Sequence, residues 1–207
     1  LGESGAFSDA FAVAFAVECL KETGLDDFTV DVGHVGFFKG LLSGAGISEA
    51  DTERLRACIN AKDGIGAAML LKNSGVSGRA AEALQALPSL FGGEEVLARA
   101  EKLTDDPTAL GALEHLKKVH ALLKEFGCEK YVSFDLGTVK SLSYYSGILF
   151  TGLTGALGAP VLSGGRYDML ADDFGKHIPA VGFAMGLKRI LMALERQGKV
   201  RAPAPPD

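Results

Sequence analysis

Residues 163–168 of this chain read Ser-Gly-Gly-Arg-Tyr-Asp, and they follow a short apolar run at residues 160–162. Two adjacent glycines let a backbone approach a ligand closely or adopt a positive φ. Arg166 and Tyr167 could then hold a carboxylate or an aromatic ring. A plainer interpretation is a turn from a strand into a helix, in which Asp168 interacts favourably with the helix dipole. The segment alone leaves both interpretations open.

Two neighbouring segments allow the same pair of interpretations. Residues 143–147 read Ser-Tyr-Tyr-Ser-Gly, and in a strand Tyr144 and Tyr145 would point to opposite faces, one into the core and one into a cleft. Residues 179–189 pass from a strand of small residues into a helix, so Arg189 falls in the first turn, where it could reach an anion. The structural alternatives are two aromatic strand residues and tight packing of a strand on a helix.

The last third of the chain consists mainly of strand-like runs. They lie at residues 131–134, 142–152 and 180–184, and a helix is predicted at residues 186–197. Strands that follow one another without a long helix between them favour an antiparallel sheet.

The first two thirds are mostly helical. A helix is predicted at residues 8–22 and a strand at residues 28–33, and the following stretch is helical as far as about residue 126. We expect the helices of residues 45–126 to pack as one unit on one side of the sheet. The predicted division is a core of residues 1–44 and 127–200, a helical insertion at 45–126 and a flexible tail at 201–207.

Composition argues against several classes of function. The 207 residues carry a formal charge of −5, and no basic stripe is visible, which speaks against binding of tRNA or other nucleic acid. The apolar run at residues 10–17 is too short to span a bilayer. The three cysteines show no metal-binding spacing and fit a reducing cytoplasm, and the four histidines are scattered. We therefore expect a cytoplasmic protein without a membrane partner and without a metal site.

The order and spacing of the three segments resemble the histidyl-tRNA synthetase family and its regulatory branch, the ATP phosphoribosyltransferase regulatory subunits. The synthetase patterns are R-G-L-D-Y-Y-T-G-x-x-F-E, G-G-G-R-Y-D and P-A-V-G-F-A-x-G-x-E-R, the last being class II motif 3. Residues 32–38, Val-Gly-His-Val-Gly-Phe-Phe, resemble the regulatory branch in particular. The resemblance covers nearly the whole chain and places Leu1 directly after motif 2, so that the N-terminal part of the core is missing. It implies an α+β, class II aminoacyl-tRNA synthetase-like fold: an antiparallel sheet flanked by helices, with a helical insertion.

Departures from the synthetase patterns fall at positions that would serve adenylate chemistry. Lys140 stands where the synthetases have a catalytic arginine, and lysine lacks the planar, two-pronged donor. Thr151 replaces the glutamate that ends the first pattern, and Lys188 replaces the acidic residue of motif 3. Lys140 and Arg189 are accordingly interpreted as vestigial synthetase positions, and no residue is assigned a catalytic role.

The resemblance implies a non-catalytic subunit that regulates the first step of histidine biosynthesis. Its expected partner is the short-form ATP phosphoribosyltransferase catalytic subunit, in a hetero-oligomer that contains a homodimer of this chain. Histidine is the expected effector, and no cofactor is expected. The alternative is a histidyl-tRNA synthetase catalytic-domain fragment that uses ATP, Mg²⁺ and tRNA, and a third hypothesis is a synthetase paralogue with another amino-acid substrate.

The candidate histidine-binding residues are the retained members of the first two patterns. We expect Tyr145 and Tyr167 to contact the imidazole or the amine, and Arg166 to support the turn. The full candidate set is Tyr144, Tyr145, Gly164, Gly165, Arg166 and Tyr167.

Overall fold

A computed structural model describes residues 1–139 and 144–199 of the chain. The helices in this part are α1 (Ala6–Glu22), α2 (Val35–Ser43), α3 (Glu49–Asn60), α4 (Gly64–Asn73), α5 (Gly78–Ala86), α6 (Glu95–Glu101), α7 (Pro107–Glu125) and α8 (Leu187–Arg196). The strands are β1 (Thr29–His34), β2 (Phe91–Gly92), β3 (Val132–Asp135), β4 (Ile148–Leu153), β5 (Leu162–Arg166) and β6 (Val181–Met185). Short 3-10 turns lie at Leu87–Ser89, Glu129–Tyr131 and Asp172–Phe174.

The six strands form one mixed sheet in the order β2-β3-β1-β4-β5-β6. All neighbouring pairs are antiparallel except β1 and β3, which run parallel. The predicted α+β class with helices flanking the sheet is confirmed. The parallel pair β1–β3 was not predicted. Two parallel strands must be joined by a crossover connection, and the long helical stretch between β1 and β3 provides one.

Strand β4, which follows Gly147, is shorter than the sequence pattern predicts. The run at residues 142–152 was expected to be one strand, but β4 begins at Ile148, and Tyr144 and Tyr145 lie in the turn before it. The alternation argument for the two tyrosines therefore does not apply to them. The turn ends at Gly147, where a Cβ would lie 2.9 Å from Cδ of Arg166.

Alternation along the strands gives the sheet two different faces. Val30 and Val32 of β1 and Phe150 of β4 are fully buried on the face that packs against α1 and α7. Phe183 of β6 lies on this same face, because its ring is 5.8 Å from the ring of Phe15 in α1. The opposite face carries mostly small and polar side chains, apart from two leucines of β4, Leu149 and Leu153. Most of the apolar core therefore lies between the sheet and the helices.

The predicted insertion at residues 45–126 contains α3 to α7 and the edge strand β2. The long helix α7 packs against α1, α2 and β1, and it begins at Pro107 with the Asp106 carboxylate accepting from the amides of Thr108 and Ala109. The division of the chain into core and insertion stays a prediction. In the described residues, no helix combines the length and apolar character needed to cross a membrane.

Candidate functional site

A row of small residues crosses the face of the sheet that lies away from α1. Register pairs Gly33 with Leu149, Leu149 with Gly165, and Gly165 with Gly182, so these four positions form one line across four strands. At the three glycines, neighbouring groups of the protein approach the backbone more closely than a Cβ would allow. We call the line formed by Gly33, Leu149, Gly165 and Gly182 the glycine row.

Two tyrosines lie directly over the glycine row. A Cβ on Gly165 would be 2.7 Å from Cε1 of Tyr145, and a Cβ on Gly182 would be 2.8 Å from the hydroxyl of Tyr167. At Gly165 a Cβ would also be 2.6 Å from the Ile148 carbonyl oxygen, so this position needs glycine for steric reasons, whereas at Gly182 a Cβ would shift the end of the Tyr167 side chain. The sequence singled out Gly165, Tyr145 and Tyr167 as candidates, and the structure brings them together.

The two rings are linked through Tyr144. The centroid of Tyr144 lies 4.4 Å from that of Tyr145 and 6.5 Å from that of Tyr167. Tyr145 is 8% exposed, whereas Tyr144 is 37% exposed. Burial, together with a hydrogen bond to Tyr144, raises the pKa of Tyr145 well above its ordinary value. Its hydroxyl therefore stays protonated at neutral pH and can donate or accept a hydrogen bond.

Gly164 lies on the other face of the sheet. A Cβ there would be 2.5 Å from Cζ of Phe150 and 2.6 Å from Cβ of Phe183, which both belong to the helix-packed face. This glycine therefore lets two core phenylalanines pack and is separated from the tyrosines by the sheet itself. Adjacent residues of a strand face opposite sides of the sheet. A ligand that lies against the Cα of Gly165 on one face therefore cannot also lie against the Cα of Gly164 on the other.

Arg166 also projects into the helix-packed face, where it is 5% exposed. Its Nε and Nη2 lie 2.8 and 2.7 Å from Oδ1 of Asp9, and Nη2 also donates to the hydroxyl of Ser8 at 2.7 Å. Nη1 donates to Oδ1 of Asp168 at 2.9 Å and to the Glu3 carbonyl at 3.2 Å. Burial opposes the charged form of Arg166, but hydrogen bonds to Asp9 and Asp168 raise its pKa overall. The guanidinium thus ties α1 to the end of β5.

A polar row runs beside the glycine row on the same face. Register pairs Ser133 with Asp31, Asp31 with Thr151, and Thr151 with Ser163. The Ser133 hydroxyl donates to the Asp31 carboxylate. Burial raises the pKa of Asp31, and this hydrogen bond from Ser133 opposes the shift. Thr151 lies within this row, so the position where the synthetase pattern has glutamate is on the face of the sheet away from α1.

Of the two vestigial positions, Arg189 lies within the described residues. Arg189 is exposed in the first turn of α8, and its Nη1 donates to the Pro160 carbonyl at 2.7 Å. Lys188 beside it is also exposed. Lys140 lies outside the described residues.

Asp9, His115 and His34 are residues that the sequence interpretation missed. Asp9 has no exposed surface, and its Oδ2 lies 2.7 Å from Nε2 of His115 in α7. The His115 ring meets the His34 ring edge to face at 5.4 Å between centroids. Burial and the neighbouring His115 lower the pKa of His34 to about 4, so its Nδ1 accepts from the Gly36 amide as a neutral cap of α2. The sequence feature that could have revealed this cluster is Asp9 itself, a charged residue inside a strongly apolar helix.

Asp168 completes the same set of bonds at the end of β5. Its Oδ1 accepts from the Ala180 amide at 3.0 Å, and its own amide donates to the Ser146 hydroxyl at 3.0 Å. No regular helix begins here, since the chain continues as a loop to the 3-10 turn Asp172–Phe174. The carboxylate therefore anchors a loop, and the simpler interpretation of Asp168 as a helix-start residue is wrong. Among the described residues, no group of three or more His, Cys, Asp or Glu side chains is arranged to hold a metal ion.

Comparison with known proteins gives consistent matches. Residues 1–190 match the family model described as histidyl-tRNA synthetase. A protein of Acetivibrio thermocellus named ATP phosphoribosyltransferase regulatory subunit is 44% identical over 190 residues, which cover 92% of this chain and 46% of that protein. A protein of the same name from Thermoanaerobacter sp. is 42% identical over 199 residues, covering 96% of this chain and 52% of the relative. The chain thus spans about half the length of the curated relatives it matches.

A solved structure is also similar. It is described as an ATP phosphoribosyltransferase regulatory subunit/histidyl-tRNA synthetase from Bacillus halodurans C. It superposes with a TM-score of 0.86 at 34% sequence identity, covering 93% of this chain and 51% of that one.

Proposed function

Since this chain belongs to the histidyl-tRNA synthetase family, we propose that it forms part of a non-catalytic regulatory subunit of ATP phosphoribosyltransferase. The name shared by the curated relatives from Acetivibrio and Thermoanaerobacter supports this branch of the family. In this role the protein joins a short catalytic subunit, supports the first step of histidine biosynthesis and transmits feedback inhibition by histidine. The chain itself makes and breaks no bond.

The observation that carries the proposal is the contrast between the tyrosines and the neighbouring polar row. Tyr145 and Tyr167 lie over Gly165 and Gly182, where a Cβ would be 2.7 Å from Cε1 of Tyr145 and 2.8 Å from the Tyr167 hydroxyl, so the two glycines let both tyrosines keep their positions on the sheet. In the adjacent row Thr151 offers a neutral hydroxyl where the synthetase pattern has a carboxylate. A site that keeps aromatic contacts and loses charged groups is suited to binding an amino acid without activating it.

Histidine suits the chemistry of the tyrosines. A neutral imidazole has one donor and one acceptor nitrogen, and a tyrosine hydroxyl can pair with either. Because burial raises the pKa of Tyr145, its hydroxyl keeps its proton at neutral pH, where imidazole is mostly neutral as well. In this proposal neither ATP nor Mg²⁺ takes part in the work of the subunit.

The proposed assembly is a hetero-oligomer with the catalytic subunit, in which this chain forms a homodimer. Binding of tRNA has no part in it, because the formal charge of −5 provides no overall attraction for a polyanion. The cytoplasm is the proposed location, where the substrates of the catalytic partner are present.

The direct test is reconstitution. Full-length protein is mixed with a short-form ATP phosphoribosyltransferase catalytic subunit, and phosphoribosyl transfer is measured with and without L-histidine. We expect the mixture to be active, the catalytic subunit alone to be much less active, and histidine to inhibit the mixture. Equal activity of the catalytic subunit with and without this protein would contradict the proposal.

A histidine–tRNA ligase is the second candidate function. The family description and the retained Arg189 in the motif 3 helix favour it. The two functions differ in one measurement, histidine-dependent exchange between ATP and pyrophosphate, which a ligase catalyses and a regulatory subunit does not.

A further inference from the structure

The position of Tyr167 depends on bonds made by its neighbours on both sides. The Tyr167 amide donates to the Ala180 carbonyl at 2.8 Å, and the Ala180 amide donates to Asp168 at 3.0 Å. The Ser146 amide donates to the Arg166 carbonyl at 2.9 Å. Three chain segments that carry or flank Tyr145 and Tyr167 therefore meet at Arg166 and Asp168.

Arg166 can hold these segments only while its own charge is compensated. It is almost fully buried, and a buried guanidinium is stable only when carboxylates and hydrogen-bond acceptors surround it. Asp168 supplies one carboxylate and Asp9 supplies the other. Asp9 faces the Nε side of the guanidinium, so it sets the angle at which Nη1 reaches Asp168.

Asp9 in turn depends on His115. The carboxylate is fully buried, and while Arg166 occupies Oδ1, the Nε2 atom of His115 lies 2.7 Å from Oδ2. A buried carboxylate oxygen without a donor is costly, so removing His115 frees Asp9 to rotate or to recruit water. His115 belongs to α7, which packs against α1 and α2, and its ring lies against His34 at the start of α2. The chain of contacts therefore runs from α2 and α7 through α1 to the tyrosines.

We propose that Asp9 and His115 are positioning residues for the histidine pocket: they orient Arg166, and Arg166 holds in place the turn that carries Tyr167 and Asp168. This inference rests on the proposed function, because it names the parts of the fold that shape the binding surface. It assigns to α7 a second role beside core packing. If a partner subunit changed the packing of α2 or α7, His115 would move relative to Asp9, and the positions of Arg166 and Tyr167 would change as a result.

The test compares three variants of the full-length protein. His115→Leu removes the donor to Asp9, and His115→Gln keeps a donor of similar reach. His120→Leu is the matched control, since His120 lies on the same helix and is also largely buried, but it pairs at 3.1 Å with Glu94 and packs edge to face against Phe134 rather than contacting Asp9. Histidine affinity is measured by titration calorimetry, and amide hydrogen exchange is measured for residues 166–181 and for β1.

We expect His115→Leu to weaken histidine binding about tenfold and to raise exchange at the Asp168 and Ala180 amides about tenfold, with β1 unchanged. His115→Gln should keep most of the wild-type histidine affinity and most of the protection of these amides from exchange. His120→Leu should change neither the affinity nor the exchange rates. Should His115→Leu fail to fold, His115→Asn, whose shorter side chain does not reach Asp9, replaces it with the same expectations.

Two results would overturn the inference. One is exchange in residues 166–181 that does not respond to loss of the His115 donor, and the other is an equal rise in β1, which would mean general loosening. If the wild type binds no histidine, the sensing role in the proposed function fails, and the exchange measurement still decides whether His115 positions the turn.

Discussion

The ring of Tyr145 lies so close to the backbone of Gly165 that a Cβ there would be 2.7 Å from Cε1 and 2.6 Å from the Ile148 carbonyl oxygen. One of these contacts is with backbone, which cannot move aside without breaking the pairing of β4 with β5. The close packing of Tyr145 on Gly165 is therefore fixed by the pairing of β4 with β5.

Gly165→Ala should destabilise the protein by about 1–3 kcal/mol, because the methyl group overpacks a site with no free space. The same change should abolish histidine binding by displacing Tyr145. Urea unfolding and titration calorimetry measure the two effects. Gly158→Ala is the control, since a Cβ there meets nothing within 4 Å. If both variants are as stable as the wild type, the tight contact at Gly165 is not present in solution.

Tyr145→Phe and Tyr167→Phe should each weaken histidine binding by about 1–3 kcal/mol while the fold stays intact, because each removes one hydroxyl from the proposed histidine site. Calorimetric titration of the full-length protein, alone and with the catalytic subunit, measures this. Tyr131→Phe is the matched control, since Tyr131 stacks on Phe28 at 5.1 Å, away from the glycine row. Unchanged inhibition of the complex by histidine in both test variants would place the sensing site elsewhere.

Asp9→Asn should lower the free energy of unfolding by about 3 kcal/mol, because it removes the charge that compensates buried Arg166 while keeping the shape of the side chain. Asp26→Asn should change the free energy of unfolding by no more than about 0.5 kcal/mol, since the Asp26 side chain is 78% exposed and its ion pair with Lys199 lies at the surface. Chemical unfolding of both variants gives the comparison. Equal, small losses would mean that the Asp9–Arg166 pair contributes no more than a surface ion pair.

The neutral state of His34 should make stability depend on pH. Its pKa is lowered to about 4 in the folded protein, so between about pH 6.5 and pH 4 the unfolded chain binds more protons than the folded one. Stability should therefore fall as pH falls through this window, by about 3 kcal/mol in total. The charged and titratable groups around His34 are His115, Asp9, Lys39 and Arg166.

The His34→Asn variant isolates this contribution. Asparagine can accept from the Gly36 amide as a helix cap but does not titrate, so unfolding of this variant should depend less steeply on pH than that of the wild type. Parallel curves for His34→Asn and wild type would show that His34 does not titrate in the way its burial implies.

The full-length protein should not form histidyl-adenylate at a rate typical of synthetases. Lys140 and Thr151 stand in place of an arginine and a glutamate of the synthetase pattern, and loss of one oriented donor to transition-state charge costs about 10²–10³ in rate. Histidine-dependent exchange of pyrophosphate into ATP is the assay, with a histidyl-tRNA synthetase as the positive control. Exchange at a synthetase-like rate would favour the ligase function over the regulatory one.

Local patterns in the sequence determined most of the elements. The helix predicted at residues 8–22 is α1, and the predicted strands at residues 28–33, 131–134 and 180–184 are confirmed to within one residue at each end. These elements depend on short-range periodicity, which a sequence displays directly. The Ser-Gly-Gly-Arg-Tyr-Asp segment and its two neighbours were recognised for the same reason.

Tertiary structure alone decided which of these residues meet. Gly164 and Gly165 are adjacent in sequence but lie on opposite faces, because the register of β4 with β5 assigns each residue to a side. Asp9 and His115 are 106 residues apart and share a buried hydrogen bond that no local pattern indicates. Helix and strand periodicity arises from bonds between near neighbours, whereas the partner of a buried charge is selected by packing between distant segments, so the sequence showed the motifs and the fold determined how they are held.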